Sequence, residues 1–191
     1  MRKLKASSSK FEYSQFFRAK KIFSSASRLV KKLLLSLPNK KFDVILMCHD
    51  NDRREIRSDT AYSKLIDSLD EILNFYGNKC MQFSTPYSDL TYKKSWSKAK
   101  SLNKQIRLAR GTDRLVRFIS GRNIPFISDF AMRKRYFLEI KIYEYTIDII
   151  NPKVIICIEA SEPLCKAATR KNIRIIELLH GIGYTNIPWG L

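Results

Sequence analysis

Two short apolar runs separated by one helix-length segment constrain this sequence most. Residues 154–158 (Val-Ile-Ile-Cys-Ile) have the length and content of a strand buried in a parallel sheet, and residues 173–178 (Ile-Arg-Ile-Ile-Glu-Leu) are predicted to form the next strand. Between them, Ser161 is a candidate helix N-cap, with Glu162 and Pro163 in the first turn. A strand, a helix and a strand at this spacing predict an α/β fold with a parallel sheet.

A second strand-helix-strand unit is predicted in the first half of the chain. Residues 43–48 form an apolar strand, and residues 79–84 form the strand that follows it. The helix between them is capped by Asp59 or Thr60 and ends at Gly77 in the left-handed conformation. Its predicted inward stripe consists of Ala61, Leu65, Leu69, Ile72, Leu73 and Tyr76. The crossover is expected to be right-handed.

The stretch between these two units, residues 86–135, is rich in Lys and Arg, with aromatic side chains among them. We predict helical pieces here, one of them from near Thr112 to Gly121, and a longer helix over residues 133–150. Basic and aromatic side chains together can hold a phosphorylated ligand or nucleic acid. Solvated basic helix faces are the interpretation that we favour.

Residues 1–41 are predicted to form a basic helical arm ahead of a Rossmann-like domain over residues 42–191. The arm has 12 Lys and Arg residues against one acid, Glu12. Phe and Leu residues are interleaved with the cations, which predicts one or two amphipathic helices that end before Pro38. One interpretation is a helix that lies in the plane of an anionic membrane through residues 1–38. The other is a helix packed on the domain with a solvated basic face.

The whole chain is strongly basic, with 36 Lys and Arg residues against 18 Asp and Glu and a formal net charge of +18. Such a charge attracts nucleic acid, anionic lipid or phosphorylated substrates. We find no apolar run long enough to cross a membrane or to act as a signal peptide. We therefore expect a cytoplasmic location, or a peripheral one on the inner face of the plasma membrane.

Several common kinds of site are not expected. The four cysteines lack Cys-x-x-Cys spacing, so we expect small buried thiols and no metal site. Gly-x-Gly-x-x-Gly, P-loop and Gly-x-Ser-x-Gly sequences are also missing. Their lack disfavours a classical dinucleotide site, a P-loop NTPase and an α/β-hydrolase.

Ligands of open parallel sheets bind beyond the carboxyl ends of the strands, and this rule selects a candidate site. The residues at the four predicted strand ends are His49, Asp50 and Asn51, then Thr85, then Glu159, Ala160 and Ser161, and last His180 and Gly181. His180 is a candidate general base, because imidazole titrates near neutral pH and Gly181 permits close approach of a ligand. Glu159 is a candidate base or hydroxyl acceptor, and the helix that starts at Ser161 can bind an anion. For His49 we slightly favour a structural hydrogen bond.

Two stretches carry a resemblance to a known family, residues 151–158 (Asn-Pro-Lys-Val-Ile-Ile-Cys-Ile) and 172–182 (Asn-Ile-Arg-Ile-Ile-Glu-Leu-Leu-His-Gly-Ile). They resemble bacterial surface-polysaccharide glycosyltransferases of the GT-B class, of the capsule and O-antigen type. In that family Pro-Lys precedes one strand, and Glu-x-Gln-His-Gly closes the next. Glu177, His180 and Gly181 match this pattern. Leu179 stands at the position of the Gln, which puts a role for that amide in doubt.

The resemblance implies the N-terminal, acceptor-side domain of an enzyme that transfers a sugar from a nucleotide-sugar to a growing surface glycan. His180 and Glu159 are then the expected catalytic residues. The expected substrate-binding residues are His49, Asp50, Asn51, Ser161, Glu177 and Gly181. The acceptor would be a glycan or a lipid-linked saccharide. We expect no cofactor in this chain, since the nucleotide-sugar would bind a missing C-terminal domain or a separate partner chain, and no turnover by this domain alone.

Two alternatives stay open. The net charge of +18 also fits a basic nucleic-acid-binding α/β protein, although no RRM, KH or zinc-finger pattern indicates specific nucleic-acid binding. The basic arm also fits a scaffold on a membrane surface.

Overall fold

The computed structural model describes residues 2–34, 41–49, 55–57, 60–85, 99–119 and 125–178, with the side chains of residues 2–12 and of Ile56 left aside. The strands are β1 (Val44–His49), β2 (Glu55–Arg57), β3 (Thr60–Tyr62), β4 (Cys80–Thr85), β5 (Lys100–Ser101), β6 (Val154–Ile158) and β7 (Arg174–Leu178). The helices are α1 (Arg2–Leu34), α2 (Lys64–Phe75), α3 (Asn103–Ile119), α4 (Pro125–Ile150) and α5 (Glu162–Arg170).

Five of these strands form one parallel sheet in the order β5-β4-β1-β6-β7. The chain builds outward from β1 to β4 and β5 on one side, and then continues with β6 and β7 on the other side. This order is consistent with a Rossmann-like sheet, and the predicted α/β class with flanking helices is confirmed. Strands β2 and β3 form a separate antiparallel pair.

Helices pack on both faces of the sheet. Successive side chains of a strand point alternately to these two faces. Ile45 and Met47 of β1 belong to a large core that also takes in residues of α1, α3, α4 and α5. Leu46 and Cys48 point to the opposite face, where they pack with Ile66 of α2. A strand buried on both faces has to be apolar throughout, and this explains the continuous run in β1.

Helix α1 contributes directly to the large core. Its buried residues recur every three or four positions, which is the period of one helix face, and they are Ala19, Phe23, Ala26, Val30 and Leu34. The helix contacts α3 and α4. Of the two interpretations given above for the basic segment, these contacts are those of a helix packed on the domain.

Helix α2 begins later than predicted. Thr60 lies in β3, and the N-cap is Ser63, whose hydroxyl accepts a hydrogen bond from the Ile66 N–H at 3.3 Å. The Asp67 carboxylate accepts a hydrogen bond from the Ser63 N–H at 2.6 Å. Two backbone N–H groups at the start of α2, those of Ser63 and Ile66, therefore have side-chain acceptors. Gly77 adopts φ +81°, the left-handed conformation expected after the helix.

The predicted stripe of α2 is wrong in part. Ile66, Leu69 and Leu73 pack against the sheet, whereas Leu65, Ile72 and Tyr76 are exposed. The sheet covers only one narrow face of α2. The sequence pattern is broader than the surface that the sheet offers to it.

Helices α3 and α4 both start well before the predicted positions. Helix α3 begins at Asn103 rather than near Thr112, and it passes through Gly111. A glycine inside a helix costs about 1 kcal/mol, and burial of Ile106, Ala109 and Val116 against the core compensates for it. Helix α4 begins at Pro125, where the missing N–H of proline is harmless in the first turn.

Candidate functional site

Three strand ends meet at the carboxyl edge of the sheet. His49 ends β1 and lies beside Thr85, the last residue of β4. His49 Nδ1 and Thr85 Oγ1 are 2.8 Å apart, which is a hydrogen-bond distance. His49 Nε2 lies 3.5 Å from Oε2 of Glu159, which directly follows β6. The imidazole of His49 therefore joins the ends of β4, β1 and β6.

The His49–Glu159 pair lies where the strand order reverses. The connection from β1 runs through α2 on one face of the sheet, and the connection from β6 runs through α5 on the other face. In open α/β sheets such a reversal leaves a crevice at the carboxyl edge, and this crevice is the usual ligand site. The topology thus places this His–Glu pair in the position where binding is most common.

The two side chains of the pair differ in their access to solvent. The His49 side chain is 18% exposed and the Glu159 side chain is 55% exposed. When the Thr85 hydroxyl donates to Nδ1, the Nε2–H of His49 faces the Glu159 carboxylate. The carboxylate then keeps its remaining lone pairs for a ligand in the crevice. The arrangement suits a carboxylate that accepts a hydrogen bond, or a proton, from a substrate hydroxyl.

Glu159 has a left-handed backbone, with φ +54°. This conformation is uncommon for residues other than Gly, Asn and Asp, and it costs about 1–2 kcal/mol. Such strain persists only where the surrounding structure holds it, and it clusters at functional sites. The side chain at this turn lies with its Oε2 3.5 Å from Nε2 of His49.

Glu177, near the end of β7, is bonded to the loop after β6. Its Oε1 accepts a hydrogen bond from the Ala160 N–H at 2.9 Å. The loop that carries Glu159 is therefore held from the neighbouring strand. This contact gives Glu177 a positioning role beside the substrate-binding role expected from the sequence.

Ser161 occupies the N-cap position of α5, as the sequence predicts, but its side chain makes no capping hydrogen bond. Its hydroxyl is buried and makes no hydrogen bond with any described residue. Burial raises the pKa of Tyr143 in α4 to about 12, and the nearby Ser161 hydroxyl acts in the opposite direction without cancelling this effect. The backbone N–H groups at the start of α5 point toward the carboxyl edge.

Tyr143 is the member of this region that sequence reasoning missed. It lies within the periodic pattern of α4, which predicts only an inward-facing residue. The proximity of Tyr143 to Ser161 comes from the packing of α4 against α5, and we see no sequence signal that would have found it.

Four of the expected site residues, Asp50, Asn51, His180 and Gly181, lie outside the described residues. Their roles stay predictions. The described part of β7 ends at Leu178, which pairs with Ile158 at the carboxyl edge.

The described part of the chain includes all four cysteines. All four cysteines are free, and burial raises the pKa of Cys80 and of Cys157 to about 12. Within the described ranges, no three His, Cys, Asp or Glu side chains lie close enough together to hold a metal ion. No helix in those ranges has both the length and the apolar content needed to cross a bilayer.

Comparison of the chain with known protein families, with curated proteins and with solved structures finds no match. The resemblance to GT-B glycosyltransferases therefore rests on the short motifs quoted above.

Proposed function

We propose that this domain is the acceptor-side half of a glycosyltransferase that extends a surface glycan. The observation that carries the proposal is the His49–Glu159 pair, 3.5 Å apart at the reversal of the strand order. A solvent-accessible carboxylate oriented by a hydrogen-bonded imidazole is suited to a sugar hydroxyl, because that group needs an acceptor for its proton. The match of Glu177, His180 and Gly181 to the family pattern supports the same assignment.

In the proposed reaction, the acceptor hydroxyl lies against the Glu159 carboxylate. Its oxygen bonds to the anomeric carbon of the donor sugar, while the bond from that carbon to the nucleoside diphosphate breaks. The hydroxyl proton passes to Glu159, and the nucleoside diphosphate leaves with the electron pair of the broken bond. His49 positions Glu159, and His180 is proposed to contact the acceptor from the next strand end.

The donor is assigned to a second domain. We place the nucleotide-sugar on a domain outside these 191 residues, or on a separate partner chain, so that the transfer occurs between the two. The formal net charge of +18 favours an acceptor with negative charge, such as a saccharide on a lipid diphosphate at the cytoplasmic face of a membrane.

Saturation-transfer NMR on the full chain tests this proposal with three probes. They are a panel of short-chain prenyl-diphosphate saccharides, the same saccharides without the diphosphate, and uridine diphosphate. We expect binding of at least one prenyl-diphosphate saccharide, weaker binding of the free saccharide, and no competition by uridine diphosphate.

Two matched variants locate the binding. Glu159→Gln should weaken binding about tenfold, which is a loss of about 1.4 kcal/mol and is typical of a hydrogen bond to a charged group. Glu162→Gln is the matched control, because Glu162 is also an exposed glutamate close in sequence. It should leave binding unchanged, because its carboxylate pairs with Lys166 on its own helix, at 3.2 Å, instead of with His49. Equal binding by Glu159→Gln and the native chain would contradict the proposal, as would displacement of the saccharide by uridine diphosphate.

A further inference from the structure

An exposed cluster of aromatic rings connects the first half of α1 to the start of α4. The ring centroid of Phe16 lies 4.8 Å from that of Phe130 and 5.4 Å from that of Phe126. On α1 the rings of Tyr13 and Phe17 are 4.8 Å apart, and Phe17 is 6.4 Å from Phe16. We call these five residues the aromatic patch.

The aromatic patch is open to solvent. Tyr13 is 67% exposed, Phe126 is 65% exposed and Phe17 is 50% exposed. Single exposed apolar residues are ordinary, but rings that contact one another form a continuous apolar surface, and such surfaces mark sites of interaction. Phe23, about two helical turns after Phe16 on α1, is by contrast buried in the core.

Cations surround the rings of the aromatic patch. Lys20 Nζ lies 4.7 Å from the centre of the Phe16 ring and 5.7 Å from that of Phe17. Lys134 Nζ lies 5.6 Å from the centre of the Phe130 ring. An adjacent open depression of about 470 Å³ is lined by Phe17, Arg18, Lys20, Lys21 and Ser24. The exposed acid Asp129 on α4 is outnumbered by these cations, so the patch has a positive rim.

The aromatic patch lies at the carboxyl end of the sheet, which is also the end that carries the candidate site. Helix α4 reaches the opposite, amino-terminal edge at Ile150, whose carbonyl accepts a hydrogen bond from the Phe42 N–H at 3.3 Å. It passes the middle of α5 at Tyr136, whose ring lies 5.1 Å from the Nζ of Lys166, the fifth of the nine residues of that helix. Phe126 lies a further 15 Å or so along α4, at about 1.5 Å per residue. The patch therefore projects beyond the carboxyl edge.

We propose that the aromatic patch docks on the surface of an anionic lipid bilayer. Phe and Tyr rings with Lys and Arg around them are the composition that enters the interface between head groups and acyl chains. The rim cations would meet lipid phosphates, and the rings would enter the apolar side. The contact is a patch at one end of the helical layer, since the apolar stripe from Ala19 to Leu34 is committed to the core.

The geometry of the rings favours lipid over nucleic acid. Bases bind aromatic side chains by stacking on free ring faces. In the aromatic patch three of the four ring pairs meet edge to face, at interplanar angles of 63°, 64° and 78°, and the pair of Phe16 and Phe126 is tilted at 42°. Lys20 lies over two of the rings. An apolar interface needs no free ring face, only exposed ring area.

Vesicle flotation of the full chain tests the docking, with vesicles of phosphatidylcholine alone or mixed with phosphatidylglycerol. We expect binding to the anionic vesicles and little to the neutral ones. The double variant Phe17→Ser/Phe126→Ser should reduce the partition coefficient about tenfold, equivalent to about 1.4 kcal/mol. Phe75→Ser is the matched control, because Phe75 is 84% exposed on α2, away from the patch, and its loss should change nothing.

A second pair of variants tests the charge independently of the rings. Lys20→Gln should weaken binding to anionic vesicles, whereas Lys64→Gln, an exposed lysine on α2, should weaken it less. Circular dichroism confirms that each variant is folded. The docking is disproved by an equal loss in the Phe75→Ser control, by a lack of binding to anionic vesicles, or by a preference for single-stranded oligonucleotides that depends on Phe17 and Phe126. The result of this test is independent of whether the chain binds a sugar.

Discussion

Glu159 Oε2 lies 3.5 Å from His49 Nε2, across the boundary between β6 and β1. Both residues are held by the sheet, His49 as the last residue of a strand and Glu159 through the turn that follows one. A pair built on strand ends is preorganised, because the parallel hydrogen bonds of the sheet determine its separation.

Replacement of Glu159 by glycine should remove the backbone strain at this position. Glycine adopts φ +54° without strain, so Glu159→Gly should leave the free energy of unfolding unchanged or raise it by up to about 1 kcal/mol. Glu159→Val should lower it by about 1–2 kcal/mol, because a β-branched side chain clashes in this conformation. Urea unfolding followed by circular dichroism measures both.

Asn172 provides the control for this comparison. It also has positive φ, at +55°, but asparagine tolerates that conformation, so Asn172→Gly should change stability by only a few tenths of a kcal/mol. Strong destabilisation by Glu159→Gly would show that the side-chain contact with His49 outweighs the backbone strain.

Truncation of Leu34 should show that α1 belongs to the folding unit. Leu34 is 1% exposed, and Leu34→Ala should cost about 2–5 kcal/mol through lost burial and the cavity left behind. Leu29 on the same helix is 52% exposed, and Leu29→Ala should cost less than about 1 kcal/mol. Equal small losses from both variants, measured by urea unfolding, would mean that α1 contributes nothing to the stability of the domain.

Loss of the Asp113 carboxylate should weaken the contact between α3 and α4. Asp113 is almost fully buried and pairs with Arg117 on its own helix and with Arg135 on α4. Asp113→Ala should cost about 2 kcal/mol, because two partly buried guanidinium groups lose their acceptor. The exposed pair of Asp148 and Lys171 is the comparison, and Asp148→Ala should cost less than about 1 kcal/mol. Thermal melts that rank the two variants in reverse would refute this account.

Two glutamates of α4 should give opposite dependences of stability on pH. Burial raises the pKa of Glu139 above its ordinary value of 4.5, against the effect of Arg110 and Arg135. Burial also disfavours the charged form of Glu144, but hydrogen bonds from Lys141 and Arg170 outweigh it and lower the pKa.

The direction of each effect follows from proton linkage. A raised pKa in the folded state means that stability from Glu139 is complete below pH 4.5 and declines as pH rises through the folded value. A lowered pKa means that stability from Glu144 is complete above pH 4.5 and declines as pH falls through the folded value. Relative to the native chain, Glu139→Gln should therefore gain stability from pH 4 to 7, and Glu144→Gln should lose it. Parallel trends in urea unfolding would contradict the assignments.

Local patterns were sufficient for the last third of the chain. Residues 154–158 are the strand that the apolar run predicts, and the N-cap at Ser161 follows from a short-range preference. The sequence-based predictions were wrong where packing between several helices and strands determines the structure. The start of α3, and the exposure of Leu65 and Ile72 on α2, depend on which surfaces the neighbouring elements offer.

The candidate site divides in the same way. The chain order of strands and helices was enough to select His49, Thr85 and Glu159, because the carboxyl ends of parallel strands lie at one edge. Which of these touch could not follow from the sequence, since strand order is a property of the whole sheet. The hydrogen bond from the Ala160 N–H to Glu177 also joins segments that are distant in sequence.

The sequence by itself determined that this chain builds a parallel α/β sheet and that its polar strand ends lie at one edge, because both follow from the period of apolar residues along short segments. Only the tertiary structure decided that β1 and β6 are neighbours, that Glu159 turns back to His49, and that α1 and α4 bring their aromatic rings together. The physical reason is that such contacts depend on packing between segments far apart in the chain, and their energies are set by the assembled core.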